Sequence, residues 1–314
     1  MIELINVTKM YGTTKAVDQL NLQIHDGEIS VLLGKSGCGK STTLRMINCL
    51  IEPSEGEILI DNKNVKSYEV EKLRKNIGYV IQSVGLFPYM TVEKNISCVP
   101  QLLKWDKARM RRRTEELLEM VGLDVDEYIH KYPRELSGGE AQRVGVARAL
   151  AADPQIILMD EPFGAIDPIN RSKLQKEFLK IQKELHKTVV FVTHDLEEAL
   201  KLGDRIAIMD KGKLQNYATP ETITEGENAQ FIKEFLGKDY FLKLLARYRV
   251  RDYMQPLPDT QPDNGVYLAA TDTLQDALSV MIHRGVQTAY VIDEGKCQGY
   301  LTWEKIMHCM EVSF

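Results

Sequence analysis

No stretch of this 314-residue sequence is apolar for the roughly 18 residues that a membrane span requires. A chain without such runs has no spanning helix of its own to form a pore or carrier. The start of the chain shows no basic region and no cleavage site. The alternating Ile2, Leu4, Ile5 and Val7 predict a first strand there, not a secretory leader. Cysteine is scarce: Cys38, Cys49, Cys98, Cys297 and Cys309 are scattered, odd in number and never spaced C-x-x-C. That argues against a disulfide framework and a zinc site, and fits a reducing cytoplasm. Positive charge is not in excess either. A net charge of −5 argues against a nucleic acid polymer as the main partner. One local exception, Lys104, Lys107, Arg109, Arg111, Arg112 and Arg113, leads into the helical pattern Leu117, Leu118, Met120, Val121. It reads as a solvated helix face, with contact to a partner or lipid head groups as the alternative. Low-complexity segments are lacking, and the length suggests about two domains.

What is present is organised around Gly34, Lys35, Ser36, Gly37, Cys38, Gly39, Lys40, Ser41 and Thr42, which fit G-x-x-x-x-G-K-[ST]. Apolar Ile29, Val31, Leu32 and Leu33 precede the loop as a buried strand would. The run Thr43, Leu44, Met46, Ile47 follows it as a helix. Strand, glycine loop and helix are the context this motif needs. The glycines let successive N–H groups curl inward, and the helix N-terminus favours an anion. Lys40 can reach terminal phosphates and the Ser41 hydroxyl can hold Mg²⁺, so the loop reads as a site for a nucleoside triphosphate. Tyr11, placed in the loop after the first strand, is a candidate to stack on adenine; the alternative is a surface tyrosine.

Further strands are expected at Ile58–Ile60 and Ile77–Ile81, the latter ending at Gln82. The apolar loop Ser83-Val84-Gly85-Leu86-Phe87-Pro88-Tyr89-Met90-Thr91 is either a docking surface or folds back on the core. Residues 95 to about 135 look helical. Leu136-Ser137-Gly138-Gly139-Glu140 follows, then a helix over Ala141–Ala152. The apolar runs Ile156–Met159 and Val189–Val192 read as strands buried on both faces. They end in Asp160-Glu161 and in Thr193-His194, at the carboxyl ends where open α/β sheets hold ligands. Asp210-Lys211-Gly212 is a hairpin turn, and a helix through Phe231, Ile232, Phe235 and Leu236 closes a first domain. Pro256, Pro258 and Pro262 mark a loop beyond a helical connector. A short helix–strand–turn–strand–helix unit completes the chain.

With Gln82, LSGGE, Asp160-Glu161 and His194 following the phosphate loop in order, residues 1 to about 237 resemble the nucleotide-binding subunit of an ABC transporter. The resemblance implies an α/β fold: a P-loop ATPase domain with a mixed sheet core and a helical subdomain over 1–238, then a helical connector over 239–248. It implies ATP and Mg²⁺ as cofactors. Asp160 would hold Mg²⁺ together with Ser41 and Gln82. Glu161 would polarise the attacking water as general base, His194 would donate to the γ-phosphate, and Gln82 would join the metal and water shell. Ser137, Gly138 and Gly139 open a helix and so form a second anion site. In the family that site faces the other subunit's nucleotide, which implies a head-to-tail homodimer with ATP between the subunits. Asp167, in Phe163-Gly164-Ala165-Ile166-Asp167, matches the family's subunit-contact loop, although Leu is commoner where Ile166 stands. Glu140 replaces the usual glutamine, with a small effect expected because backbone N–H groups carry the contact. The other histidines show no comparable context and read as surface or packing residues.

The segments Met46–Pro53 and Lys187–Asp195 are similar to those of importers of quaternary ammonium osmoprotectants: glycine betaine, carnitine or choline. Such a subunit sits peripherally on the cytoplasmic face of the membrane. It works with separate permease subunits, and through them with an extracytoplasmic substrate-binding protein. Leu86, Phe87, Pro88 and Tyr89 are the candidates for the permease contact. The tail over 249–314 resembles a CBS module, carried by Val250–Met254, Thr273-Leu274, Val291–Asp293 and Gly299–Thr302. It implies a small α+β regulatory unit whose single copy pairs across the homodimer. The family's ribose-binding acid is Lys305 here, which speaks against adenosine. Beside this importer stands an importer ATPase for another small solute, and with it three further readings: an exporter ATPase, a soluble ABC protein acting on ribosomes or DNA, and a sensor without turnover. The single motif set and the acidic balance disfavour the second of these. Glu161 and His194 disfavour the third.

Overall fold

The computed structural model describes residues 1–82, 85–257 and 265–311, apart from the side chains of Leu185 and 309–311. Ser83 and Val84 of the apolar loop, and Pro258 and Pro262, lie outside the described residues.

The chain divides into two compact units. The first, residues 1–195 and 202–217, holds two sheets. Strands β1 (Ile2–Tyr11), β2 (Thr14–Ile24), β4 (Glu55–Ile60) and β5 (Lys63–Asn64) form an antiparallel sheet in the order β2-β1-β4-β5. β3 (Ile29–Leu33), β6 (Ile77–Val80), β7 (Ile156–Asp160), β8 (Thr188–Thr193), β9 (Arg205–Asp210) and β10 (Lys213–Ala218) form a sheet in the order β10-β9-β3-β8-β7-β6. Its strands from β9 to β6 run parallel. Every residue of β3, β7 and β8 is buried, which explains why these segments read as unbroken apolar runs. In the antiparallel sheet one face alone is covered, so Leu20, Leu22 and Ile24 alternate with exposed neighbours. Leu44, Met46 and Ile47 of the loop helix share one core with Ile2, Leu20 and Ile24 of that sheet and with Leu158 and Val190 of the parallel sheet.

Two details differ from expectation. Tyr11 is the last residue of β1, paired with Thr14, and not part of a loop. The helix after LSGG begins at Gly138 and ends at Leu150, so the glycines lie inside its first turn.

The second unit comprises 196–201 and 218–314, of which the tail contributes β11 (Gln255–Pro256), β12 (Tyr267–Ala269), β13 (Thr288–Asp293) and β14 (Lys296–Thr302). Their order is β11-β14-β13-β12, with β12 parallel to β13 and the other pairs antiparallel. The helix Leu274–Arg284 is capped by a reciprocal Thr273–Asp276 box at its start. Leu274, Ala277, Leu278 and Met281 of this helix bury against Val291, Leu301 and Ile306. These units do not follow the sequence limits at 238 and 248: residues 218–238 and the helix Leu196–Leu202, up to Lys201, pack with the tail.

Candidate functional site

Four parallel strands end side by side, and each delivers one part of the site. Gly34 follows β3, Gln82 lies two residues past β6, Glu161 follows β7 and His194 follows β8. The phosphate loop is held from behind. A side-chain carbon on Gly39, at φ +106°, would come 2.5 Å from the Ala16 carbonyl oxygen, so only glycine lets the loop close against β2. Lys40 is 5% exposed, and its Nζ donates to the carbonyls of Gly34 at 2.7 Å and Lys35 at 3.0 Å. The ammonium thus sits under the loop that Lys35, Ser36 and Gly37 expose. Cys38 is buried beside it, and that burial pushes its thiol above the usual range.

Behind the loop helix's first turn, Ser41 Oγ donates to Asp160 Oδ1 at 2.8 Å. Asp160 is 2% exposed, and burial raises its carboxyl above the ordinary range against the opposing pull of Ser41 and Arg45. A buried carboxylate held by a single hydroxyl is an oxygen donor suited to a hard cation.

Glu161 adopts a left-handed backbone, φ +48°, which is uncommon for a residue other than glycine and costs on the order of 1–3 kcal/mol. Its N–H bonds Val192 O at 3.0 Å, so the strand ladder holds that conformation in place. The turn aims the carboxylate between two partners. Gln82 Nε2 donates to Glu161 Oε2 at 3.1 Å, and His194 Nδ1 lies 3.1 Å from Oε1. Glu161 therefore meets both of the other residues assigned to catalysis in the sequence, across 79 positions of chain to Gln82 and 33 to His194.

Tyr11, Asp167 and Ser137 make other contacts in the single chain. Tyr11 is 51% exposed, with Lys9 Nζ 5.3 Å from its ring centre. Asp167 caps the helix Pro168–Leu185 by accepting from the Asn170 N–H at 3.1 Å and from its side-chain amide at 2.8 Å. That amide holds its carboxyl below the usual range. Ser137 caps the helix Gly138–Leu150 through a reciprocal box: Ser137 N–H donates to Glu140 Oε2 at 2.7 Å, and Glu140 N–H to Ser137 Oγ at 3.3 Å. Tyr128 adds its hydroxyl to Glu140 Oε1 at 2.6 Å. This bond lowers the Glu140 carboxyl and pushes the Tyr128 phenol up to about 12. Glu140 therefore has a defined structural task that its motif position did not announce. Tyr128, twelve residues upstream, carries no motif that could have found it.

Comparison with known proteins bears on the family. Residues 17–164 match the family described as ABC transporter, and residues 250–311 the CBS domain. The chain is 48% identical over 307 residues, 96% of its length and 79% of the relative's, to the osmoprotectant import ATP-binding protein OsmV of Salmonella typhimurium. It is 46% identical over 309 residues, 98% of its length and 79% of the relative's, to the glycine betaine/carnitine/choline transport ATP-binding protein OpuCA of Bacillus subtilis. Among solved structures, the dimeric post-hydrolysis state of the ATP-binding cassette MJ0796 with ADP and Pi superposes with a TM-score of 0.66. It shares 38% identity, covering 70% of this chain and 98% of that one. Among the described residues no helix is long and apolar enough to cross a membrane. A phosphate loop, a carboxylate, histidine and glutamine gathered at parallel strand ends, and this similarity along nearly the whole chain lead to one assignment: the protein belongs to the ABC transporter ATP-binding subunits, ATPases of the P-loop fold, and carries a CBS domain behind its cassette.

Proposed function

We propose that this ATPase powers uptake of a quaternary ammonium osmoprotectant of the glycine betaine, carnitine or choline type. It does so through separate permease subunits fed by an extracytoplasmic binding protein. The observation that carries the reading is that similarity to the osmoprotectant ATPases runs through cassette and tail alike, over 96% of the chain for OsmV and 98% for OpuCA. The cassette is assigned to 1–238, the connector to 239–248 and the regulatory CBS module to 249–314. The subunit works from the cytoplasmic face of the membrane, with Leu86, Phe87, Pro88 and Tyr89 toward the permease. Tyr89 is 92% exposed, as an aromatic kept for a partner would be.

In this reading Gly34 to Thr42 bind the nucleotide phosphates, with Lys40 beneath them, and Tyr11 stacks on adenine. The donor set fits Mg²⁺: the Ser41 hydroxyl and Asp160 carboxylate already meet, and Gln82 uses its amide nitrogen on Glu161, which leaves its carbonyl oxygen for the ion. When bound, Mg²⁺ neutralises charge between the terminal phosphates. Glu161 takes a proton from the attacking water, a role worth roughly 10²–10⁴-fold. Gln82 and His194 hold its carboxylate at the strand ends, and the second ring nitrogen of His194 is left to face the phosphate. Ser137, Gly138, Gly139 and Asp167 make no bond to this cluster in the single chain and complete the partner's site in a head-to-tail homodimer, a pairing supported by the dimeric state of the MJ0796 cassette with ADP and Pi. Reconstitution with the permease and binding protein in liposomes tests the proposal. ATP-dependent uptake of labelled betaine, carnitine or choline is expected, and is lost in Glu161→Gln. Transport of an unrelated solute with none of the three would refute it.

A further inference from the structure

The sequence sets the tail apart from ATP chemistry, with a connector between them. Contacts within the second unit give that connector a grip on the helix Leu196–Leu202, which begins two residues after His194. Arg247 Nη1 donates to the Leu200 carbonyl at 3.1 Å. That carbonyl belongs to the helix's last turn, where a cation is favoured. Arg247 Nε lies 3.2 Å from Glu221 Oε1, and Lys243 Nζ lies 4.0 Å from Glu197 of the same helix. Glu221 Oε1 also accepts from the Tyr248 hydroxyl at 3.1 Å.

Tyr248 in turn belongs to the tail. Its carbonyl accepts from Leu274 N–H at 3.0 Å, its ring meets Tyr253 edge-on at 5.4 Å, and it packs on the core built from Leu274, Val291 and Leu301. Burial raises its phenol well above the usual range, so the hydroxyl stays a donor to Glu221. A continuous chain of contacts therefore runs from the tail's core through Tyr248, Glu221 and Arg247 to Leu200, and back along the helix to its start at Leu196, two residues after His194.

We propose that Arg247 is a positioning residue for His194 and that through it the packing of the CBS tail sets the rate of ATP hydrolysis. This rests on the reading of His194 and Glu161 as the hydrolytic pair. Loss of the Arg247 grip loosens the helix that follows His194, which weakens the hold on the Glu161 carboxylate. The phosphate loop, at the end of another strand, is not in this chain of contacts. The signature is accordingly a fall in kcat without a change in nucleotide affinity.

The test uses the full chain. Arg247→Met should lower kcat about tenfold, with KM and nucleotide Kd changed less than about twofold, since couplings carried by such networks amount to roughly 2- to 30-fold. Arg247→Lys, which keeps a cation for Leu200, should recover to within about threefold of the parent. Hydrogen exchange of a peptide covering 194–202 should quicken in the Met variant. Leu301→Ala, which loosens the tail core, should change kcat about threefold or more in the parent chain and less than about 1.5-fold in the Arg247→Met background. Equal effects in both backgrounds, or parental kcat in Arg247→Met, would overturn the proposal. If Arg247→Met does not fold, Glu221→Gln reads the same route: parental kcat there overturns it, and a kcat-specific loss supports it. His194→Ala separates the two levels. Retained turnover in it defeats the site reading itself, whereas lost turnover in it with parental kcat in Arg247→Met defeats the positioning role alone.

Discussion

Replacing Glu161 by Gln asks what a single proton acceptor contributes to the site. The parent carboxylate takes one hydrogen bond from Gln82 at 3.1 Å and faces His194 Nδ1 at 3.1 Å. A glutamine can keep both contacts, accepting from Gln82 through its oxygen and donating to Nδ1 of an imidazole that carries its proton on Nε2. The left-handed backbone at this position and the bond from its N–H to Val192 O do not involve the side chain, so the fold is expected to hold. Only the ability to take a proton is removed. General-base catalysis is worth roughly 10²–10⁴-fold, so kcat should fall by that factor, about 2.7–5.5 kcal/mol in the barrier. The nucleotide Kd should stay within about threefold of the parent, because the phosphate contacts come from the loop and Lys40. An ATP-held dimer should accumulate and be visible by size-exclusion chromatography with light scattering. Parental turnover in this variant, or a large loss of ATP affinity with kcat intact, would refute the assignment of Glu161 as base.

Lys40→Ala should act on binding instead. It deletes a buried ammonium, and a lost charge-assisted contact should weaken ATP affinity roughly 10- to 100-fold in a calorimetric titration. Asp160→Asn should stabilise the nucleotide-free chain while abolishing hydrolysis, since it removes a charge that burial disfavours. The sign follows from the raised carboxyl. The parent is penalised while Asp160 is ionised, so the variant's advantage in thermal melting should be fullest at alkaline pH. It should shrink as pH falls through the folded-state value, and a constant advantage would count against it. Phe87→Ser with Tyr89→Ser should fold normally but fail to co-purify with the permease. The loop backbone is pinned without the rings, by Asn95 bonding Phe87 N–H at 2.8 Å and its carbonyl at 3.2 Å.

The parts of the site that could be read directly are those in which chemistry is local along the chain. The phosphate loop is one covalent run, so its role is visible in nine consecutive residues. The position of Asp160, Glu161 and His194 at neighbouring strand ends is legible because buried parallel strands read as apolar runs. Contacts made by side chains far apart in sequence were not legible. Nothing in residues 128 and 140 announces that Tyr128 would hold Glu140, or that Arg247 would reach back to Leu200. The partner of the last cassette helix was not legible for the same reason. The helix Ala229–Leu236 looks terminal by its amphipathic pattern, yet it groups with the tail because partner choice is set by tertiary packing and not by period. Tyr11 was displaced from strand to loop because an exposed strand end at a hairpin has the same composition as the turn beside it.

The pairing of β7 with β8 fixes more than the core. Asp160 is registered against Val192, so Glu161 and His194 leave neighbouring strands one step apart, and the lateral repeat of a sheet, about 4.8 Å, becomes the gauge that spaces base from histidine. A gauge of this kind is indifferent to what joins the strands. Lengthening or shortening the 26 residues between Glu161 and Thr188 would leave the spacing where it is. A single deletion inside Ile156–Asp160 would not be absorbed in the same way. It would turn Glu161 to the opposite side of the sheet and set Thr193 beside whatever replaced it. Tolerance of this spacing is therefore expected to be read by direction: wide in the length of the connection and nearly nil along the five- and six-residue strands that carry the chemistry at their ends.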